Sequence, residues 1–255
     1  MTVRIRRSAV VASAAVAAVT LFAAGCGASA GDDKEPEHRS FALEGRALIV
    51  DSDDSALELV VADVDKVEVT RWFKGSVVVG GDPKVTWEMK DDTLKLREDC
   101  SGVVADCSAK HRIEVPRGIA VTVKDGDGSV RASGFKEALN VRTGDGSVRV
   151  EDSSGPLTLH TGDGSVTATD IDSRRVDVHT QDGSVRLGLD AVPDRVASRS
   201  HDGSVTIELP AEATYRVDTK TGDGSVDVSV PRDERSTHEV SAETRDGKVT
   251  VRTAN

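Results

Sequence analysis

Seven aspartates recur in one local context in the second half of the chain. The tetrapeptide Asp-Gly-Ser-Val occurs six times, and a seventh copy reads Asp-Gly-Lys-Val. Carboxylates repeated in this way can bind divalent cations, can act as acid and base on a glycan, or can accept hydrogen bonds from their own turns in water. We predict the last role, with calcium binding between turns as an alternative. The turn aspartates are Asp127, Asp145, Asp163, Asp182, Asp202, Asp223 and Asp246.

A second set of chemically active residues lies three positions before each turn aspartate. Six of the seven are basic or titratable, and the last repeat has Glu243 instead. A solvated, charge-balanced face is the simpler interpretation, and the functional alternative is a stripe that binds a polyanion such as a wall phosphate polymer. The two histidines of the set form a potential metal pair, but no third ligand is evident and we predict no metal site. The candidate anion-binding stripe comprises Lys124, Arg142, His160, His179, Arg199 and Lys220.

The residues around each aspartate alternate strictly, which predicts the elements that hold it. Leu157, Leu159 and Thr161 precede Asp163 at every second position, and the second arm of each repeat alternates in the same way after the Gly. Such alternation indicates two half-buried strands per repeat, joined at the Asp-Gly corner. We expect Gly at this corner because it tolerates positive φ.

The spacing of the repeats predicts how these strands are arranged. Successive aspartates are 18, 18, 19, 20, 21 and 23 residues apart, a period typical of one coil of a β-solenoid. We therefore predict an all-β fold, a single-stranded parallel β-solenoid (β-helix) of about seven coils with an N-terminal β cap region. A sandwich or a propeller is the alternative. Like residues of successive coils should stack, and Thr143, Thr161 and Thr180 should form a hydroxyl ladder.

Four segments follow from composition. Residues 1–25 resemble an export signal, with three arginines before an apolar run too short to span a bilayer. Cys26 follows a lipobox-like Ala-Ala-Gly and is the predicted lipidation site. Residues 26–40 are predicted to form a disordered tether, 41–118 an N-terminal β region, and 119–255 the repeat solenoid. No other stretch is apolar enough to cross a membrane, so the lipid alone would hold the protein on the outer face of the cytoplasmic membrane.

The number of cysteines is consistent with export and lipidation. An exported chain with three cysteines has an odd thiol unless one is modified. If Cys26 is acylated, Cys100 and Cys107 remain as a pair in an oxidising compartment, and we predict a disulfide between them. A zinc half-site is the alternative, but His111 alone would not complete it.

The charge of the chain excludes one class of partner. The net charge is −11, and removal of the first 25 residues, which contain Arg4, Arg6 and Arg7, leaves −14. An acidic protein of this kind is not expected to bind nucleic acid nonspecifically. We predict a cell-wall polymer or an envelope protein as partner, beside the membrane itself.

The run Val115-Pro116-Arg117-Gly118-Ile119-Ala120-Val121, followed by repeated Thr-Gly-Asp-Gly-Ser-Val, resembles the bacterial "putative adhesin" family of unknown function. The resemblance covers about residues 41–255, including the Cys100/Cys107 pair. It implies a repeat β-solenoid, often a lipoprotein and distantly similar to bactofilins, and it brings no catalytic residues.

The sequence contains no motif of a known catalytic class among those that can be recognised locally. It has no Gly-x-Ser-x-Gly elbow, no His-Glu-x-x-His and no phosphate-binding loop. We therefore predict a non-enzymatic envelope lipoprotein with no cofactor, whose solenoid is a structural or binding surface. The alternatives are a glycan-active β-helix enzyme, a calcium-dependent module and an envelope-stress sensor.

Overall fold

A computed structural model describes residues 30–254, and its regular structure is almost entirely β. In this part of the chain, two mostly parallel sheets enclose one continuous apolar core, and the remaining element is a 3-10 turn at Ala30–Asp32. The prediction of an all-β solenoid with two faces is confirmed. Within the same residues, no helix is long and apolar enough to span a membrane.

The first sheet, called sheet A here, contains eleven of the strands found in residues 30–254. Its strands, in spatial order, are β1 (Glu37–Phe41), β4 (Val67–Gly80), β7 (Gly102–Pro116), β3 (Ala56–Ala62), β9 (Val130–Ser133), β11 (Val148–Ser153), β13 (Val166–Ile171), β15 (Val185–Leu189), β17 (Val205–Leu209), β21 (Val249–Thr253) and β19 (Val226–Val228).

The second sheet, sheet B, contains the other ten strands of the described chain. In spatial order they are β5 (Lys84–Lys90), β6 (Thr93–Asp99), β2 (Ala47–Ser52), β8 (Ala120–Lys124), β10 (Leu139–Arg142), β12 (Leu157–Thr161), β14 (Arg175–Thr180), β16 (Arg195–Asp202), β20 (Glu239–Asp246) and β18 (Arg216–Asp223).

Each repeat contributes one strand to each sheet, and equivalent residues of successive repeats stack. Leu159 of β12 is in register with Val141 of β10 and with Val178 of β14. All three side chains are buried, and full burial of an aliphatic side chain stabilises a fold by about 1.5–3 kcal/mol. The period-two alternation in the sequence therefore divides each strand into a core face and a solvent face, as predicted.

The order of the strands in the stack differs from their order in the chain at the C-terminal end. Strand β20 of the last repeat pairs with β16 on one side and with β18 on the other, and β21 lies between β17 and β19 in the same way. The last repeat therefore inserts between the two repeats that precede it. Both final repeats have the same alternation of inward and outward positions, so the alternation could not order them.

The N-terminal end also departs from chain order. Strands β2 and β3 pair in parallel with β8 and β9, so the predicted boundary at residue 119 does not coincide with a break in either sheet. Beyond them lie β6 and β7, and the outermost strands β1, β4 and β5 pair antiparallel.

The predicted disordered tether, residues 26–40, needs correction at its C-terminal end. Residues 37–40 form β1 on β4, because main-chain pairing and the buried ring of Phe41 hold that segment to the sheet.

The predicted hydroxyl ladder is present, and its hydrogen bonds connect each strand to the turn of the neighbouring coil. The Thr161 hydroxyl donates to the carbonyls of Gly144 and Gly146, at 3.3 and 2.8 Å. In the same way, the Thr143 hydroxyl donates to the carbonyls of Gly126 and Gly128. The Thr180 hydroxyl donates to those of Gly162 and Gly164. These hydroxyls therefore supply hydrogen-bond donors to carbonyl groups of the neighbouring turn, which buried main-chain carbonyls require.

Replacing Thr161 with Val should therefore destabilise the fold while leaving its shape unchanged. The methyl group that replaces the hydroxyl removes a donor from two turn carbonyls, and we expect a loss of about 1–2 kcal/mol in the free energy of unfolding. Urea denaturation of the purified protein measures this loss. Thr167→Val, on the half-buried outer face of sheet A, should change stability by less than about 0.5 kcal/mol. Equal effects of the two changes would contradict the role assigned to Thr161.

Candidate functional site

The turn aspartates lie where the chain passes from sheet B to sheet A, and close packing of the turn backbones dictates the Gly beside each. A Cβ added to Gly146 would lie 1.8 Å from the carbonyl oxygen of Gly128, and one on Gly164 would lie 2.1 Å from that of Gly146. Any side chain there would separate the coils. Of the seven glycines that follow a turn aspartate, Gly247 alone has a positive φ, of 146°. Our expectation that these glycines supply positive φ was therefore wrong for six of the seven.

The carboxylates of these turns form a column along one edge of the stack. Asp246 is in register with both Asp202 and Asp223, and six of the seven are exposed, with Asp246 half-buried. In-register neighbours lie about 4.8 Å apart, but water screens exposed charges at such a spacing. The exposure of six of these carboxylates agrees with the predicted solvated turns.

The column includes one member that the repeat motif does not reveal. The N–H of Asp127 donates to Asp54 Oδ1 at 3.2 Å, and the N–H of Gly126 donates to the carbonyl of Asp53 at 2.5 Å. Asp54 therefore occupies the turn between β2 and β3 that corresponds to Asp127 in the next coil. Sequence reasoning missed it because Ser55 follows it where the repeats have Gly.

Five of the six residues of the candidate stripe are adjacent on the outer face of sheet B. Strand register places each of them beside the next in the stack. We call this set the basic column. It comprises Lys124, Arg142, His160, His179 and Arg199.

Lys220 is separated from the basic column, which corrects the predicted stripe. Glu243 of the inserted strand β20 is in register with Arg199 on one side and with Lys220 on the other. Glu243 Oε2 lies 3.6 Å from Arg199 Nε. The acidic residue expected at the end of the stripe therefore interrupts it, because the last repeat lies inside the stack.

The charges within the basic column are unequal. Lys124 and Arg142 are exposed and form no ion pair with any residue in the described range. The rings of His160 and His179 are 5.8 Å apart. Partial burial, followed by the positive charge of Arg142 and the neighbouring His179, lowers the pKa of His160, against a smaller opposing effect of Asp177. The permanent positive charge is therefore concentrated at Lys124 and Arg142.

A shallow groove runs beside this part of the column. Its volume is about 230 Å³. Hydroxyl and amide side chains from the outward positions two residues earlier form its other side, in register from strand to strand. The groove therefore offers cations along one wall and neutral hydrogen-bonding groups along the other. Its polar lining residues are Thr122, Lys124, Asn140, Arg142, Thr158 and His160.

One turn contains a carboxylate where the other repeats have a hydroxyl. Asp125 occupies the inward position equivalent to Thr143, and both of its carboxyl oxygens are shielded from solvent. Burial is the largest effect and raises the pKa of Asp125 to about 7, with the charges of Asp54 and Asp127 adding to it. The Ser52 hydroxyl and the Gly128 N–H oppose this rise. A protonated carboxyl can donate as the threonine hydroxyls do, whereas a carboxylate cannot.

Two of the three cysteines lie among the residues that the structure describes. Cys100 and Cys107 form a disulfide with Cα atoms 6.3 Å apart, as predicted. The predicted signal peptide at residues 1–25 and lipidation site at Cys26 lie outside the described residues and remain predictions.

Comparison with known proteins finds one family model and two solved structures that match this chain. The model of the family described as Toastrack DUF4097 matches residues 88–255. No curated protein matches the chain. A "putative cell adhesion protein" from Clostridium sporogenes is 12% identical, with 86% of this chain and 100% of that chain covered and a TM-score of 0.39. A "putative adhesin" from Parabacteroides merdae is 12% identical, with 87% and 97% covered and a TM-score of 0.42.

Replacing Asp125 with Thr should remove a pH-dependent loss in the free energy of unfolding. The folded-state pKa lies above the ordinary value of 3.8, so unfolded chains lose this proton near pH 4 while folded ones keep it to about pH 7. The wild type is therefore progressively destabilised as pH rises through that window. A pKa raised from 3.8 to about 7 corresponds to about 4 kcal/mol, so above pH 7 the variant should be more stable by up to about 4 kcal/mol, and the difference should vanish near pH 4. Urea denaturation across this range measures it.

The exposed neighbour provides the control for this prediction. Asp127→Thr removes a carboxylate from the same turn without changing the buried position. A stability difference for Asp125→Thr that is constant from pH 4 to pH 8, or that matches the control at every pH, would contradict the protonated-carboxyl interpretation.

Proposed function

This chain belongs to the Toastrack DUF4097 family, and from that premise we propose that it is a non-enzymatic adhesive scaffold of the cell envelope. The binding surface is the outer face of sheet B, and the ligand is an anionic polymer. The observation that supports this proposal best is the register of the basic column, in which five successive strands each present a basic or titratable side chain at the same outward position.

The geometry of the column suits an extended ligand. Parallel strands are about 4.8 Å apart, so the five side chains extend over about 19 Å in a straight line. Each exposed charge pair contributes under about 1 kcal/mol, but contacts to one chain occur together and their effects combine. A linear polymer with regularly spaced negative groups can contact several positions of the column at once, whereas a small anion contacts one or two.

The paired and unpaired charges of the surface support the same ligand. Lys124 and Arg142 lack an ion-pair partner among the described residues, whereas Arg112 and Arg149 of sheet A lie next to Glu58 and Glu151. Asp51 is in register with Lys124 on the next strand, but its carboxylate is paired with Arg97. Two cations without an ion-pair partner of their own in the described chain therefore stand at the start of the basic column. On a chain of net charge −11, this local concentration of cations favours anion binding at one place.

The groove suggests which anionic polymer would fit. Thr122, Asn140 and Thr158 can exchange hydrogen bonds with hydroxyl groups, and Lys124 and Arg142 can neutralise phosphates on the other wall. A polyol-phosphate polymer carries both kinds of group. We infer that wall polymers of this chemistry are the ligand, with the solenoid as a rigid platform.

Anchoring to the membrane completes the proposal. The basic start, the apolar run and Cys26 support export and acylation, with the protein held on the outer face of the cytoplasmic membrane. Residues between Cys26 and β1 then connect the lipid to the solenoid. In this arrangement the lipid fixes the protein and the basic column contacts the wall.

Reversing the charge of three residues in the basic column should strongly weaken polymer binding. We expect the triple variant Lys124→Glu, Arg142→Glu, Arg199→Glu to bind a poly(glycerol phosphate) chain at least about tenfold more weakly than the wild type, because three attractive contacts become repulsive. Isothermal titration at low salt measures binding, and thermal unfolding confirms that the variant folds. Wild-type binding should weaken as salt rises.

A matched control distinguishes a specific surface from overall charge. Arg131→Glu, Arg149→Glu, Arg186→Glu makes the same change in net charge at exposed positions on the outer face of sheet A. Binding by this control within about twofold of the wild type is expected. Equal losses in the two triple variants, or wild-type binding unchanged by the first, would refute the assignment of the ligand to sheet B.

The anchoring proposal has a separate test. The variant Cys26→Ser cannot accept a thioether-linked lipid, so the protein should move from the membrane fraction to the soluble exported fraction and lose labelling by a fatty-acid analogue. Cell fractionation with immunodetection checks this outcome. Retention of the variant in the membrane fraction would show that another feature anchors the protein.

A further inference from the structure

Register brings together a histidine and two carboxylates that are separated in sequence. Asp182 belongs to the turn between β14 and β15, and His201 and Asp202 are the last two residues of β16. One ligand atom from each of these residues lies within 4.8 Å of the other two. This cluster is on the edge formed by the turn aspartates and makes no part of the basic column.

We propose that Asp182, His201 and Asp202 form a binding site for a divalent transition-metal ion such as Zn²⁺ or Ni²⁺. A neutral imidazole nitrogen and two carboxylates are a donor set that these ions accept, whereas Ca²⁺ and Mg²⁺ prefer sites made of oxygen alone. Three protein ligands on a solvent-facing edge leave coordination positions for water.

His201 is the residue that distinguishes this turn from its neighbours. In four of the other repeats, the residue immediately before the turn aspartate is Gly, at 126, 144, 162 and 222. The remaining two have Gln181 and Arg245, so His201 adds the one imidazole found at this position among the seven turns. Adjacent turn carboxylates alone repel each other across the stack, and the imidazole changes such a pair into a three-ligand set.

The distances require a small adjustment that exposed side chains can make. His201 Nδ1 is 3.4 Å from Asp202 Oδ1, and these two side chains are about half exposed. Ligand atoms around one such ion lie roughly 3 Å apart, so a rotation of exposed side chains would close the set without moving the backbone.

Arg245 of the neighbouring coil competes with the metal. Its guanidinium is 3.3 Å from Asp202 Oδ1 and 3.3 Å from Asp246 Oδ2. It therefore neutralises part of the carboxylate charge that the metal would use. Metal binding must weaken the contact to Asp202, which makes Arg245 a determinant of affinity, and Arg245→Gln should strengthen binding.

The test uses the untagged full chain with Cys26→Ser, so that no free thiol binds metal. Titration of the chelator-treated protein with ZnCl₂ and with NiCl₂, followed by calorimetry, should show saturation at one ion per chain. His201→Gly introduces the residue found at four equivalent turns and should weaken binding by at least about tenfold, with the same thermal midpoint in the absence of metal. An excess of Ca²⁺ should not displace the ion.

A second histidine variant makes the site assignment falsifiable. His179→Gln removes a member of the His160–His179 pair, whose rings are in contact, and it should leave the affinity for metal unchanged. Loss of binding in His179→Gln but not in His201→Gly would place the metal at the His160–His179 pair and would contradict the proposed site. Absence of saturable binding by the wild type, or binding unaffected by either change, would overturn it.

Discussion

The structure depends on the close approach of one turn backbone to the next. At Gly146 and Gly164 the neighbouring carbonyl lies where a Cβ would be, and a threonine hydroxyl such as that of Thr161 donates to the carbonyls of the adjacent turn. These two requirements explain why Gly follows every turn aspartate and why a Thr or Ser lies two positions before six of the seven, while the charge at the outward positions varies. Since the turns fix the distance between coils, they also fix the spacing of every outward column, including the proposed binding surface.

The order of the coils determines which charges become neighbours. Because β20 and β21 insert between earlier strands, Glu243 lies beside Arg199 and ends the basic column there. The exposed edge strands are then β18 and β19, with Asp218 and Asp227 on them. Charged residues on an edge strand discourage pairing with another chain. Insertion of the last repeat therefore shapes both the candidate surface and the end of the solenoid.

The sequence predicted the features that follow from period and alternation. Parallel stacking of like residues, burial of the Val, Leu and Thr positions and contact between His160 and His179 all follow from one rule applied to every repeat. The rule fails where a residue breaks the pattern. The alternation places Asp125 on the inward face, but its protonation depends on burial beside Ser52 and the adjacent turn. The cluster around His201 was missed because it joins two turns. The order of the last two repeats requires tertiary contacts that no local pattern encodes.

A cysteine cross-linking experiment tests the stacking order most directly. Arg199 and Glu243 are in-register partners on adjacent strands, at a separation that a disulfide can bridge, whereas Arg199 and Lys220 are two strands and about 9.6 Å apart. Oxidation followed by peptide mass spectrometry should therefore detect a cross-link in the pair Arg199→Cys, Glu243→Cys and none in Arg199→Cys, Lys220→Cys. The opposite result would mean that the coils stack in chain order, and the described basic column and its interruption would be wrong.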